Sequence, residues 1–241
     1  MLELITYLFV FAYSAKKFNA TTVDFVSISN YSDLFEAMRQ LHNSTNLTRD
    51  GFIIVKNSSS YDNSQSSRKT VDCIVQHPMQ FFDSRFVTGA NDTDSWITLD
   101  FLTSKVTLRH YTIYYAKQRR FMVDYVLYGE EASSWKIIDR RVVKPGDFET
   151  INTPKGEIWA YSYNVTTPLR NYSRLMLKDI GDNVDQMENM SAPISHDTKK
   201  ATTLAKLLFY GTIYPETVRF SPIKLKRKEQ MMFNFAMFSS L

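Results

Sequence analysis

The stretch from Trp96 to Ile213 limits the fold most: strand-length apolar runs follow one another across polar gaps, with no long helical segment between them. Trp96-Ile-Thr-Leu-Asp-Phe101 alternates apolar and polar residues. Tyr111 to Tyr115, Met122 to Tyr128, Trp135 to Ile138 and Ile158 to Tyr163 are rich in β-branched and aromatic residues. Leu175 to Leu177 and Leu204 to Ile213 continue the series. Parallel strands need long crossover connections, usually helices, so runs spaced this closely predict an antiparallel two-layer sandwich.

The chain changes character ahead of that stretch. Residues 2 to 17 have helical length and end on Lys16-Lys17, charges suited to a helix C-terminus. Val23 to Ile28 is a short extended run. Asn30 to Asp33 is a capping stretch, and Leu34, Met38 and Leu41 fall at spacings of four and three, which predicts an amphipathic helix over about 32–43. Phe52 to Val55 reads as another short strand, and the polar, Ser-rich run Asn57 to Arg68 reads as a boundary. The expected organisation is a small α+β N-terminal region (1–60), a mainly β sandwich (64–214) and a C-terminal tail (215–241). In that tail the basic cluster Lys224 to Lys228 precedes the apolar run Met231 to Phe238. A basic stretch beside an apolar anchor is the pairing that binds a membrane surface, although a tail docked on a partner has the same composition.

The order of these segments resembles the discoidin, or coagulation factor 5/8 type C, family of galactose-binding-like jelly rolls. Ser95 to Phe101 is similar to the family's early Trp-containing strand, and Val106 to Tyr115 to the strand that follows. Phe121 to Gly129 resembles the strand ending in Y-x-hydrophobic-x-G, Ser134 to Asp139 its hairpin partner, and Leu207 to Gly211 the closing strand. The resemblance covers residues 64 to 214. The Trp residues of these strands, Trp96 and Trp135, are expected in the core, and Gly129 is expected to supply the positive φ of a tight hairpin. The closing strand departs from the pattern, with Lys206 and Leu207 near the usual acidic position.

That resemblance implies a non-enzymatic binding or adaptor protein whose ligand sits on loops at one end of the sandwich. The corresponding residues are Phe81, Phe82 and Arg85 in Phe81 to Phe86, Lys117, Arg119 and Arg120 in the next turn, and the segment Asp147 to Lys155. Apolar tips beside a basic turn suit an anionic partner, a sugar or an acidic peptide, because guanidinium forks match carboxylates and phosphates. The simpler alternative packs Phe81 and Phe82 beneath the loop and leaves the arginines solvated. Asn91-Asp-Thr-Asp94 offers oxygen ligands for a structural Ca²⁺, or forms a plain polar turn.

The sequence shows no nucleotide-binding, P-loop, nucleophile-elbow or H-E-x-x-H motif. His42, His77, His110 and His196 have no metal-ligand spacing, so surface or capping roles are expected and no cofactor is called for. The adjacent Glu130 and Glu131 fall in an expected hairpin turn as solvated charge. The net charge of +4 is interspersed along the chain apart from Arg119-Arg120, Arg140-Arg141 and Lys224 to Lys228, which argues against a nucleic-acid partner.

The compartment signals conflict. A single cysteine, Cys73, sits in the apolar string Val71 to Val75 and reads as a buried structural thiol. Without a disulfide to join the termini, the resemblance leans towards the intracellular branch of the family, where such sandwiches follow BTB and helical adaptor domains. In the other direction, nine of thirteen Asn head an N-x-S/T sequon: Asn19, Asn30, Asn43, Asn46, Asn57, Asn91, Asn164, Asn171 and Asn189. Chance gives roughly two or three. Leu4 to Ala15 is apolar enough for a signal peptide, though Glu3 stands where a cation belongs. A secreted or cell-surface lectin-like adhesion domain is therefore the alternative to a cytoplasmic adaptor.

Overall fold

The computed structural model describes residues 19–27, 32–59, 71–76, 86–87, 94–116, 122, 124–143, 145–153, 156–167, 169–180 and 203–216. These residues fall within one unit, 16–216. Twelve strands and one α-helix are described: β1 (Thr21–Val23), α1 (Leu34–His42), β2 (Ile53–Asn57), β3 (Phe86–Val87), β4 (Trp96–Phe101), β5 (Ser104–Ala116), β6 (Asp124–Glu131), β7 (Ser134–Val142), β8 (Glu149–Thr153), β9 (Gly156–Asn164), β10 (Arg174–Asp179), β11 (Thr203–Leu204) and β12 (Lys206–Pro215). One sheet has the order β1-β12-β5-β9-β8 and the other β2-β4-β10-β6-β7, while β3 and β11 form a small pair. Every described pairing is antiparallel. The expected mainly β antiparallel sandwich is what the chain forms.

The boundary expected near residue 60 does not separate two folds. β1 pairs with β12 and β2 pairs with β4, so the described part of the N-terminal region supplies an edge strand to each sheet. The helix, Leu34–His42, lies within two residues of its expected ends. Asp33 caps it by accepting the Glu36 N–H at 2.9 Å, and Asn43 closes it in the left-handed conformation. Its apolar stripe, Leu34, Phe35 and Met38, is fully buried, with Phe35 lying 5.7 Å from Phe209 and 6.5 Å from Phe101. Val71–Val75 is a 3-10 turn that buries Cys73 as expected.

Between the sheets lie Ile97, Leu99, Val106, Leu108, Tyr111, Ile113, Tyr115, Tyr125, Leu127, Leu175, Leu177, Leu207 and Phe209. Inward positions on β5 change parity between Leu108 and Tyr111, because β5 carries an extra, unpaired residue, Arg109, opposite Tyr210/Gly211 of β12. An extra residue in one strand forces that change, since side chains otherwise alternate with a period of two.

Trp96 and Trp135 are half-buried, and the tryptophan in the core is Trp159. Trp135 lies under the Arg174 guanidinium, 5.2 Å from its ring centre. Gly129 has no positive φ; the β6–β7 turn is made by Ala132 and Ser133 at φ 48° and 65°. Gly129 is needed because a Cβ there would overlap the Tyr172 ring. Glu130 and Glu131 are ion-paired, with Arg174 at 3.1 Å and with Arg170 respectively. Asp147 to Lys155 is not one loop, since its described part is the end of a 3-10 turn (Pro145–Asp147) followed by β8. His110 is buried, and His42 stacks on Phe52 at 4.0 Å. Residues 2–17, His77, His196 and the tail beyond Glu216 lie outside the described residues. No described helix is long and apolar enough to cross a membrane.

Candidate ligand-binding end of the sandwich

Register defines two ends. At one, β4 turns into β5 through Leu102–Thr103, Ser104 pairs with Pro215, and β6 turns into β7. At the other, β5 stops at Ala116, beside Ile158, and the chain re-enters in the opposite sheet at Met122 and Asp124. There too β7 stops at Val142, paired with Asp124, and β10 stops at Asp179, paired with Tyr125. The β8–β9 hairpin closes here at Thr153 and Gly156. The β3–β11 pair joins this end because Ala205 N–H donates to the Tyr114 carbonyl at 2.9 Å.

All three segments singled out in the sequence therefore attach at this second end: Arg85 precedes Phe86 of β3, Lys117 follows Ala116 of β5, and Asp147 leads into β8. Phe81, Phe82, Arg85, Lys117, Arg119 and Arg120 themselves lie outside the described residues.

The described groups at this end make a firm floor. Phe148 packs 4.1 Å from Tyr161 and 4.5 Å from Trp159, and Tyr115 meets Tyr161 edge-on at 5.6 Å. Ser95, Trp96, Ile97, Met122, Leu177, Asp179 and Leu204 line a depression of about 10 Å³. That is room for about one water.

Beside the floor a polar clamp joins the sheets. Tyr111 Oη donates to Asp139 Oδ2 at 2.8 Å, Arg141 Nε donates to the same oxygen at 2.8 Å, and the Tyr111 and Tyr125 hydroxyls are 3.1 Å apart. Arg141 also donates to the Asn164 carbonyl and lies over the Tyr163 ring at 4.5 Å. Burial drives the Tyr111, Tyr125 and Tyr161 phenols far above the ordinary tyrosine range, and burial with nearby Asp147 pushes Tyr163 up to about 12. These hydroxyls stay protonated at physiological pH, and Tyr111 uses its proton to donate to Asp139.

Away from this end, His110 on β5 contacts Asn164 Oδ1 through Nδ1 (2.9 Å) and Ser162 Oγ through Nε2 (2.5 Å), with Phe25 stacked on it at 3.8 Å. Burial lowers its pKa, which leaves the ring neutral near pH 7. No metal-binding group of carboxylates, histidines and cysteine occurs among the described residues. Of the proposed Ca²⁺ turn only Asp94 is described, and it pairs with Lys178 at 2.7 Å.

Sequence reasoning missed a second surface, the outer face of β2-β4-β10-β6-β7. Register places Asp100, Arg174, Glu130 and Trp135 in one row across it, and Thr98, Met176, Tyr128 and Ile137 in the next. Arg174 bridges Asp100 (2.7 Å) and Glu130 (3.1 Å). The readable signal was the alternation of β4 and β10, which puts these residues opposite the core.

No family model and no curated protein matches the chain. Among solved structures, it resembles CpGH89CBM32-5 from Clostridium perfringens, in complex with GalNAc-β-1,3-galactose, at 11% identity and a TM-score of 0.45, covering 66% of this chain and 96% of that one. The family 32 CBM of C. perfringens NanJ, in complex with galactose, matches at 7% identity and a TM-score of 0.44, covering 66% and 93%. A fucolectin from striped bass (Morone saxatilis) serum matches at 12% identity and a TM-score of 0.45, covering 69% of this chain and 48% of that one. Strand pairing, rather than these likenesses, defines this chain as an antiparallel β-sandwich.

Proposed function

We propose that this chain is a non-enzymatic binding module that takes an anionic ligand, an acidic sugar or an acidic peptide, on the loops at the Ala116–Asp124 end of the sandwich. The observation that carries this reading is convergence. Three segments far apart in sequence, singled out by the family resemblance, attach to strands at the same end of the sandwich: to β3, to β5 and to β8. A rigid scaffold presenting variable loops is the usual arrangement for recognition. The filled floor, the protonated phenols and the neutral, hydrogen-bonded His110 support binding over acid–base catalysis.

The test is an array of neutral glycans, acidic glycans and acidic peptides, probed with the full chain and with two double variants, Arg119→Ala/Arg120→Ala and Phe81→Ala/Phe82→Ala. Wild type is expected to retain an acidic ligand. The arginine variant should weaken it by about tenfold or more, in line with the loss of a charge-assisted contact, with no change in unfolding midpoint. Capture of neither ligand class, or equal affinity in the arginine variant, would overturn the proposal; which class is captured separates a sugar from a peptide.

A further inference from the structure

We infer that this chain is an N-glycoprotein whose sugars, among the described sequons, sit on Asn19, Asn43, Asn164 and Asn171. They lie away from the ligand-binding end. Two independent observations carry this: the excess of sequons in the sequence, and where the fold puts them.

Six of the nine sequons are described, and four of those asparagines are exposed: Asn19, Asn43, Asn164 and Asn171. Asn19 lies two residues outside Thr21, which pairs with Ile213 near the Ser104–Pro215 end. Asn43 caps α1 next to His42, whose ring contacts Thr103 in the β4–β5 turn. Asn171 sits beside Tyr172, which bridges to Val106 near the start of β5. Asn164 pairs with His110, six residues before Ala116, or about 20 Å at ~3.3 Å per strand residue. β5 itself spans 13 residues, about 40 Å on the same rule. Bulky hydrophilic sugars at these four places stay clear of the loops attached at Ala116, Asp124 and Thr153.

Exposure separates used from unused sites, and at Asn57 the engagement of Nδ2, the atom that must carry the sugar, adds to it. At Asn164 and Asn171 the hydrogen-bonded atom is Oδ1, held by His110 and by Thr107 Oγ1 at 2.5 Å, so the nitrogen is left for the glycosidic bond. At Asn57 the nitrogen is the engaged atom: Nδ2 donates to the Ser59 carbonyl at 2.7 Å, in a half-buried side chain. Asn46 is half-buried, and its Oδ1 holds a turn by accepting from Thr48 Oγ1 and Arg49 N–H. The Thr48 hydroxyl bound there is the sequon's own. Asn57 and Asn46 are therefore the sites that stay bare.

The experiment expresses the full chain in cultured animal cells in two forms, one with its own amino terminus and one behind a strong heterologous signal peptide. Sugars are removed with peptide-N-glycosidase in ¹⁸O water, and each sequon peptide is read by mass spectrometry. The expected result is labelled Asp at positions 19, 43, 164 and 171 in both forms, with positions 46 and 57 predominantly unlabelled. An unmodified chain in the first form overturns the inference that this is a glycoprotein. Labelling at Asn57 as complete as at Asn164 in the second form overturns the geometric assignment. Neither result depends on ligand binding, so this inference fails separately from the proposed function.

Discussion

Gly211→Ala is expected to lower stability by about 4 kcal/mol or more, or to prevent folding outright. Gly211 has φ +150°, and an added Cβ would overlap the backbone carbonyl oxygen of Thr107 on the neighbouring strand. It also sits at the bulge that resets the parity of β5 against β12. A flexible side chain yields to a new methyl, but a backbone carbonyl in the centre of a sheet does not, and this residue is barred from ordinary L geometry as well. For a domain of this size each kcal/mol shifts the midpoint by about 2–4 °C, so thermal unfolding of the variant should fall by about 10 °C or more. Gly146→Ala, where nothing lies within 4 Å of the added atom, is the matched control and should stay within about 0.5 kcal/mol of wild type. Equal behaviour of the two variants would refute the register of β12 on β5.

The second large effect is Asp33→Ala, with an expected loss of about 4 kcal/mol at pH 7. Asp33 and Lys206 are each about 1% exposed. Asp33 Oδ1 caps α1, while its Oδ2 and Lys206 Nζ make no hydrogen bond among the described residues. Burial pushes the Asp33 carboxyl up to about 6 against the pull of Lys206. It draws the Lys206 ammonium down to about 8 against the pull of Asp33. Both groups are thus charged between pH 6 and 8, each supporting the other in a low-dielectric site, and removal of the carboxylate strands a buried cation.

The sign follows from proton binding. Asp33 titrates higher when folded, so its contribution is fully present below about pH 4 and is lost as pH rises through 6. Lys206 titrates lower when folded, so its contribution is present above about pH 10.5 and is lost as pH falls through 8. Chemical denaturation should therefore show the variant's deficit shrinking as pH rises from about 4 towards 8, first as the Asp33 contribution is lost and then as Lys206, without its counter-charge, deprotonates earlier in the variant. Near pH 10 it should shrink to the cap contribution of about 1 kcal/mol or less, because Lys206 is neutral there in both folded proteins. A deficit independent of pH would show that Lys206 is not a buried cation coupled to Asp33.

Strand identity and helix α1 were legible in the sequence because both depend on local periodicity. Trp96-Ile-Thr-Leu-Asp-Phe101 alternates, and Leu34, Met38 and Leu41 fall at helical spacing after the capping Asp33, although Phe35 rather than the half-buried Leu41 completes the buried stripe. Long-range pairing left little local trace. Thr21–Val23 gives no sign that it will complete a sheet with residues near 212, and Ile53–Asn57 none that it will pair with β4. A domain boundary was expected after Asn57, but β2 on one side of it pairs with β4 on the other in a single sheet. The parity change on β5 comes from its own extra residue, Arg109, which pairing with β12 identifies as the unpaired one.

Composition misled for the tryptophans, since a large aromatic at a strand start belongs in a core by prior expectation. Here Trp135 covers an ion-pair network on the outer face instead, and Gly129 makes way for Tyr172. Of the candidate site, the resemblance marked three segments, one of which is largely β8. Only strand register shows that the strands they adjoin meet at one end of the sandwich.

The most direct test of that convergence is hydrogen exchange on the full chain, free and saturated with the tightest acidic glycan or peptide from the array. The account predicts new protection in residues 77–93, 117–123 and 143–155, with none on the outer face around Trp135, Ile137 and Arg174. Protection centred on that outer face, with the three loop segments unchanged, would contradict it and move the binding surface to the sheet.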